Sequence, residues 1–594
     1  MGCRVRRTDS RRQPPDLRQR PRRVTMRRLF TAGRVPCPVP RRPCLRGARG
    51  ICSVAGGSRH SSQVHHVMHA PRIMVLCLAI ALPITSGCGA DSGSGSNGAT
   101  DSNTPSGATS TPSGSDATAT TPEEQVTLTL AFERLPAEGV DPFRVTVALH
   151  QDGQPLAGQS LDVDVPRGAL GEVADLADGT YTFTVTPSER GLHPVTVRHR
   201  DVSTTRVAIV EAGLGDGIGQ PLEVPGLVNT PGWEDGITIT PDGEWLFIQY
   251  VPAHFAGLTY VTGICAEEGW ALYDLTTCPG KPDSDWVFET IGPIGGELRP
   301  RFPTGSIEDG RLQHIDLTVP GQFNGLVLFP SVFYGFRRQS DGTFAEPFKV
   351  AFDDARGANG PFGLSFRMTG PDTADFVLAW NNFFDDLGDE GADVYHGSLT
   401  LGQDHSLGAV TYTGDLYQSI TPTITPVNLP SHAGVQGNPH LHVDDDGAVR
   451  SLWTDDEYDT HDLSVYVPRE GTFPDGTWEQ VPLPPRINTP GEDSQPFFTG
   501  SRLYLNRDRA VVRHDFLAET PDAFSEDAAW GPEVVLLPSG DITPGGFFGF
   551  GEPTLAERDG RTWLYFVYVT TREVRTETGR VDFNFGAGFV ELLD

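Results

Sequence analysis

What the body of this chain has least of is positive charge. Residues 1–87 hold 18 Arg against two acids, Asp9 and Asp16; taking these from totals of 46 bases and 77 acids leaves 28 and 75 for residues 88–594. A net charge of −47 over that stretch opposes binding to nucleic acid or to an anionic membrane surface, because both need Lys and Arg to neutralise phosphates. Such acidity keeps a protein soluble, with a sink for divalent cations as the sharper alternative. Cysteine is equally scarce there: of the eight, only Cys265 and Cys278 lie beyond residue 88. No second Cys or His pair stands near them, which argues against zinc. In an exported protein the pair is expected to form a local disulfide worth about 3 kcal/mol. Also missing are the GxSxG nucleophile elbow, the HExxH zinc helix and the GxxxxGK[ST] phosphate loop. Beyond residue 213 there is no amphipathic helical periodicity.

What is present falls into five stretches. A chain of 594 residues is too long for one core, so two or more domains are expected. Residues 1–67 are rich in Arg and Pro without apolar periodicity and read as disordered. They are either an arm of the transit or nucleic-acid-binding kind or, as we expect, the product of a start assigned too early, with Met68 or Met74 as the true beginning. Residues 68–87, MHAPRIMVLCLAIALPITSG, have a positive start at Arg72, an apolar run at 74–84 too short to span a bilayer, and small residues just before Cys88. They resemble a bacterial lipoprotein signal, although Thr85 stands where such signals usually carry Leu. The resemblance implies acylation of Cys88, which would become the mature N-terminus and anchor the protein to a membrane on its periplasmic face or at the cell surface. Ordinary secretion with cleavage near by is the alternative. Residues 88–125, almost wholly Gly, Ser, Thr, Ala, Asn, Asp and Pro, then read as a flexible tether.

Residues 126–212 alternate apolar and polar positions in short runs, VTLTLAF, FRVTVAL, SLDVDV, TYTFTVT, VTVRH and TRVAIV. Period two with Asp-Gly and Pro-Ser punctuation predicts a small antiparallel β-sandwich. The phrases DGQPLAGQSLDVDV and DGTYTFTVTPSERGLHPVTV resemble bacterial immunoglobulin-like (Ig-like) repeats of the invasin type, which act as spacers or adhesive units.

Residues 213–594 contain a repeat. NTPGWEDGITITPDGEWLFIQ at 229–249 returns as NTPGEDSQPFFTGSRLYLN at 488–506, and further copies are GEPTLAERDGRTWLYFVY at 551–568, GNPHLHVDDDGAVRSLW at 437–453 and, more weakly, 360–380. Short apolar runs precede the copies, QPLEVP, EPFKVAF, WEQVPLP and WGPEVVLLP, and are expected to enter each unit as strands. Four-stranded units repeated every 50 to 80 residues around an Asp-Gly hairpin predict an all-β propeller of about six blades, with five or seven open. The units resemble the WD40-like repeats of TolB-type propellers, and the closing GAGFVELL is expected to seal the ring against a strand of the first blade.

The first strand of each blade should start near the channel, so the polar residues ahead of it, Glu234, Asp235, Glu492, Asp493, Glu552 and Asn438, are the candidate ligand-binding set. They could hold calcium or hydrogen-bond a peptide or glycan; the plainer reading is that they cap turns. No motif points to an organic cofactor. His440 and His442 lie on one face of a predicted strand with Asp444, a spacing that suits a metal but lacks a third ligand. The clusters Asp385-Asp386, Asp389-Glu390 and 444–446 do not fit the EF-hand loop. The expected function is non-catalytic binding or scaffolding of an envelope protein, peptide or glycan; the alternative is a carbohydrate-active hydrolase using funnel carboxylates, Glu492 and Glu552 among them.

Overall fold

The computed structural model describes residues 125–137, 139–229, 233–251, 307–308, 311–312, 332–353, 362–381, 392–412, 418–430, 436–456, 462–540, 545–575 and 580–593. All belong to one unit, Ile73–Asp594. Cys88, Cys265, Cys278 and the clusters at 385–390 lie outside the described residues. Among those described, no helix is long and apolar enough to cross a membrane.

Period-two alternation builds the first part. Strands β1 (Val126–Arg134), β2 (Phe143–Gln151), β3 (Asp162–Asp164), β4 (Thr180–Pro187), β5 (Gly191–His199) and β6 (Val202–Val210) coincide with the six predicted runs. β1, β2 and β4 pair in that order, and β3, β5 and β6 pair in the second sheet. Every second residue of β2 from Phe143 to Leu149 is buried. These side chains meet Tyr181, Phe183, Val195 and Val197 in one core between the sheets.

A two-residue strand, β7 (Leu222–Glu223), leads into five arrays of four antiparallel strands among the described residues, the first of which continues into two further strands, His405–Tyr412, parallel to its fourth strand, and Gln418–Pro422. The first is β8 (Trp233–Ile239), β9 (Trp245–Val251), β10 (Val332–Arg338) and β11 (Phe344–Asp353), and the second is β12 (Phe362–Gly370), β13 (Thr373–Asn381), β14 (Ala392–Thr400) and β15 (Thr425–Pro426). The third is β16 (Gly437–Val443), β17 (Val449–Asp455), β18 (Leu463–Glu470) and β19 (Thr477–Val481), and the fourth is β20 (Asp493–Phe498), β21 (Arg502–Arg507), β22 (Ala510–Asp515) and β23 (Val534–Leu537). In the fifth, β24 (Phe547–Arg558), β25 (Arg561–Arg575) and β26 (Arg580–Leu592) are completed by β7. Strand β8 packs against β12 and β24, β12 against β16, β16 against β20, and β20 against β24. The five first strands therefore form a closed circuit, and the fold is all-β and propeller-like.

Two expectations about strand order are corrected. The runs EPFKVAF, WEQVPLP and WGPEVVLLP contribute β11, β19 and β23, the fourth strands of the preceding arrays rather than entry strands of the next. GAGFVELL lies in β26 and pairs with β7, Leu222 opposite Phe589. Its partner precedes the first array and belongs to the last.

The repeated motif has a local physical cause at each end. In the Pro-Asp-Gly hairpin, Thr240 Oγ1 donates to Asp242 Oδ1 at 2.6 Å, Trp245 N donates to Thr240 Oγ1 at 3.0 Å, and Gly243 takes the positive φ of 73° that the turn requires. The repeated Asn is a cross-link. Asn488 accepts from Leu463 N at 3.0 Å and donates to Leu463 O at 2.9 Å; Asn229 likewise accepts from Ala587 N at 2.6 Å and donates to Ala587 O at 3.0 Å. Each Asn thus pairs like a strand residue with the third strand of the array before its own.

Candidate functional site

Each of the five first strands carries a bulge at a matching place, where pairing with the second strand slips: between Asp235 and Thr238, Phe362 and Leu364, Gly437 and His440, Ser494 and Phe497, and Gly551 and Thr554, with a second shift elsewhere in β12, β16 and β24. One left-handed residue sits in each bulge: Gly236 at φ 58°, Gly363 at 56°, Asn438 at 40°, Gln495 at 54° and Glu552 at 54°. A bulge re-aims the side chain at its left-handed position, and these five positions, with the two residues after each, line one central cavity. It leaves about 40 Å³ of space for the centres of water molecules, room for a few waters.

The polar side chains on this ring bond to one another from array to array. Asn438 Nδ2 donates to Asp455 Oδ2 at 2.9 Å, and Gln495 N donates to the same oxygen at 2.7 Å. Gln495 Oε1 accepts from Glu552 N at 2.8 Å and from Asn506 Nδ2 at 3.1 Å, while Gln495 Nε2 donates to Glu552 Oε1 at 3.3 Å. Glu552 Oε2 accepts from Ile237 N at 2.9 Å, and its carboxyl lies within hydrogen-bonding reach of the Asp235 carboxyl. Burial, then the Asp235 charge, push the Glu552 carboxyl well above the usual carboxylate range. Two like charges in contact cannot both ionise, so the pair favours holding a proton.

The structure therefore brings together Asp235, Asn438 and Glu552 of the candidate set and separates the rest. Asp493 is fully buried and taken up elsewhere: Arg507 Nε donates to its Oδ1 at 2.5 Å, and Thr489 N and Oγ1 donate to its Oδ2 at 2.5 and 2.8 Å. Glu234 is fully buried in β8, and the Glu492 backbone is held by Asp508, accepting from Asp508 N at 3.0 Å and donating from its N–H to Asp508 Oδ1 at 3.3 Å. Neither lines the cavity. The His pair is accounted for by packing. His440 donates from Nε2 to Phe498 O at 3.0 Å, its Nδ1 faces Ser365 Oγ at 3.4 Å, and its ring packs against Phe497 at a tilt of 37° with centroids 4.1 Å apart. Burial lowers His440 to about 3 and His442 to about 4, so both rings are neutral over the physiological range. Among the described residues no three His, Cys, Asp or Glu side chains are grouped to share an ion. Asp444 accepts from the 446 and 448 amides at 3.1 and 2.8 Å, as a turn residue does.

Three members of the ring, Gln495, Asp455 and Asn506, were not among the sequence candidates. Gln495 had a usable signal: Asn438-Pro439, Gln495-Pro496 and Glu552-Pro553 repeat a polar residue before proline, and proline's missing N–H suits a strand position whose pairing is broken. Asp455 had none, because it ends a second strand within the acidic run Asp455-Asp456-Glu457.

No family model and no curated protein matches this chain. Among solved structures it is similar to an α-L-arabinanase of Cellvibrio cellulosa in complex with arabinohexaose, at 9% identity over 43% of this chain and 84% of that one, with a TM-score of 0.25. It is similar to the leech intramolecular trans-sialidase at 10% identity over 78% and 93%, with a TM-score of 0.25. It is also similar to invasin, a bacterial integrin-binding protein, at 12% identity over 79% and 81%, with a TM-score of 0.13. At such scores these likenesses carry nothing about this chain's chemistry.

Proposed function

We propose that the chain is an exported protein, anchored by lipid on Cys88, whose five arrays are the blades of a propeller that β7 closes. The propeller serves as a non-catalytic binding platform for an envelope protein, a peptide or a glycan, presented beyond the sandwich at 126–212, which we read as Ig-like. The observation that carries the non-catalytic reading is the contact between the Asp235 and Glu552 carboxyls. A glycosidase needs its two carboxyls on either side of the scissile bond, roughly 5 to 9.5 Å apart. Carboxyls in hydrogen-bonding contact leave no place for a glycosidic oxygen between them. The remaining polar groups of the ring join blade to blade, which suits a rigid platform.

The hydrolase reading keeps one observation in its favour: the raised Glu552 carboxyl is the protonation state of a general acid. The two readings part in a single experiment. The full-length protein, purified from membrane extract, is applied to glycan and peptide arrays and incubated with a panel of glycosides, alongside E552Q. Retention of an array component without release of sugar supports the platform. Sugar release by the wild type that E552Q abolishes overturns it.

A further inference from the structure

One strand of the sandwich faces two cores. In β6, Ala208 and Val210 point into the sandwich with Val195 and Val197, whereas Ile209 between them joins Leu564, Phe566 and Val590 of the fifth array. Side chains on a strand alternate sides, so this wall belongs to both parts. The sheets are also continuous: Leu222 pairs with Ala208 on one side and Phe589 on the other, giving seven strands in the order β24, β25, β26, β7, β6, β5, β3.

The segment after β6 then runs across the place where the ring must close. Gly215 N donates to Leu536 O of the fourth array at 2.9 Å, and Gly219 N to Glu591 O and Val224 N to Ala587 O of the fifth, both at 2.9 Å. Leu227 N donates to Phe344 O of the first array at 2.9 Å, and Phe344 N returns a bond to Pro225 O at 2.9 Å. The strap is held from behind by the sandwich: the buried Arg134 donates from Nη1 to Gly215 O at 2.8 Å, and Gln220 donates from Nε2 to Ile209 O at 2.8 Å. A closure strand of two residues has few ladder bonds of its own.

We infer that the sandwich and the strap at 215–229 are a built-in clasp on the seam between the last and first arrays, so that the sandwich and the ring open as one cooperative unit. The sandwich is then part of how the ring closes, and not merely a spacer.

The full chain supplies its own probe, because all nine Trp lie at 233 or beyond and tryptophan emission carries no signal from within the sandwich. Phe183, 2% exposed in the sandwich core, is changed to Ala. The clasp requires the urea midpoint seen by tryptophan emission to fall in F183A, although no Trp lies near the substitution in sequence. An unchanged emission midpoint, with amide protection lost only from peptides of β2 to β5, overturns it. Should F183A fail to fold, native-state hydrogen exchange on the wild type decides: peptides of β5, β6, β25 and β26 must converge on one opening isotherm as urea rises, and two separate isotherms overturn the clasp.

Discussion

Two acids on neighbouring first strands live in opposite surroundings. Asp493 in β20 is fully buried against Arg507, whose side chain is 10% exposed, and accepts two bonds from Thr489. Glu552 in β24 faces another carboxyl, and its bonds to neighbouring backbone N–H groups only partly offset the push upward in its proton affinity. The first is an acid used as a strut: remove its charge and a buried guanidinium is left short of a partner. The second holds a left-handed φ of 54°, where the first two arrays have Gly, a conformation that costs a side chain about 1–2 kcal/mol. Left-handed backbone and an unfavourable charge thus fall on the same residue.

The largest effect should come from the strut. D493N leaves Arg507 with Glu533 and backbone carbonyls but without its buried partner. Breaking a buried pair on one side costs about 3–5 kcal/mol. Urea denaturation at pH 7 should show the midpoint falling accordingly. A loss below about 1 kcal/mol would make the pair no more than a surface ion pair in effect.

E552Q should move stability the other way, and only at higher pH. A carboxyl whose folded pKa is raised contributes stability that is complete below its unfolded value of about 4.3 and is lost as pH climbs through the folded value. Gln keeps the acceptor for Ile237 N and adds a donor toward Asp235 without that penalty, giving up only the 3.3 Å acceptor for Gln495 Nε2, a loss that does not vary with pH. Melting curves of E552Q and wild type should therefore coincide near pH 4 and separate in favour of the variant toward pH 8. A constant offset across that range would mean that Glu552 shares no proton with Asp235.

The same two acids show what could be read from the sequence. Hairpins such as 240–243 and the apolar strands around them were legible, because a turn and a period-two strand are set by a few adjacent residues. The bulge was not. Aligning the copies on Asn-Thr-Pro-Gly put Glu492 and Asp493 beside Glu234 and Asp235, but the position that reaches the channel is two residues beyond Asp493, at Gln495. Which residue turns left-handed depends on pairing with β21, a non-local fact.

The smallest effect tests whether the side chain at a bulge or its backbone matters more. Gln495 is left-handed at φ 54°, so Q495G should recover the 1–2 kcal/mol of that conformation. Its backbone N–H keeps the bond to Asp455 Oδ2, which depends on no side chain. What Gly removes is the amide: Oε1, the acceptor for Glu552 N at 2.8 Å and Asn506 Nδ2 at 3.1 Å, and Nε2, which donates to Glu552 Oε1 at 3.3 Å. A buried donor left unmatched costs about 1–3 kcal/mol, and here two are stranded. The losses outweigh the relief, and Q495G should be destabilised by about 1 kcal/mol in urea titrations, the least of the three. A gain instead would mean that the amide contributes nothing to holding the fourth and fifth arrays together, leaving the polar belt with the backbone bond from Gln495 to Asp455 and the bond between Glu552 and the first array.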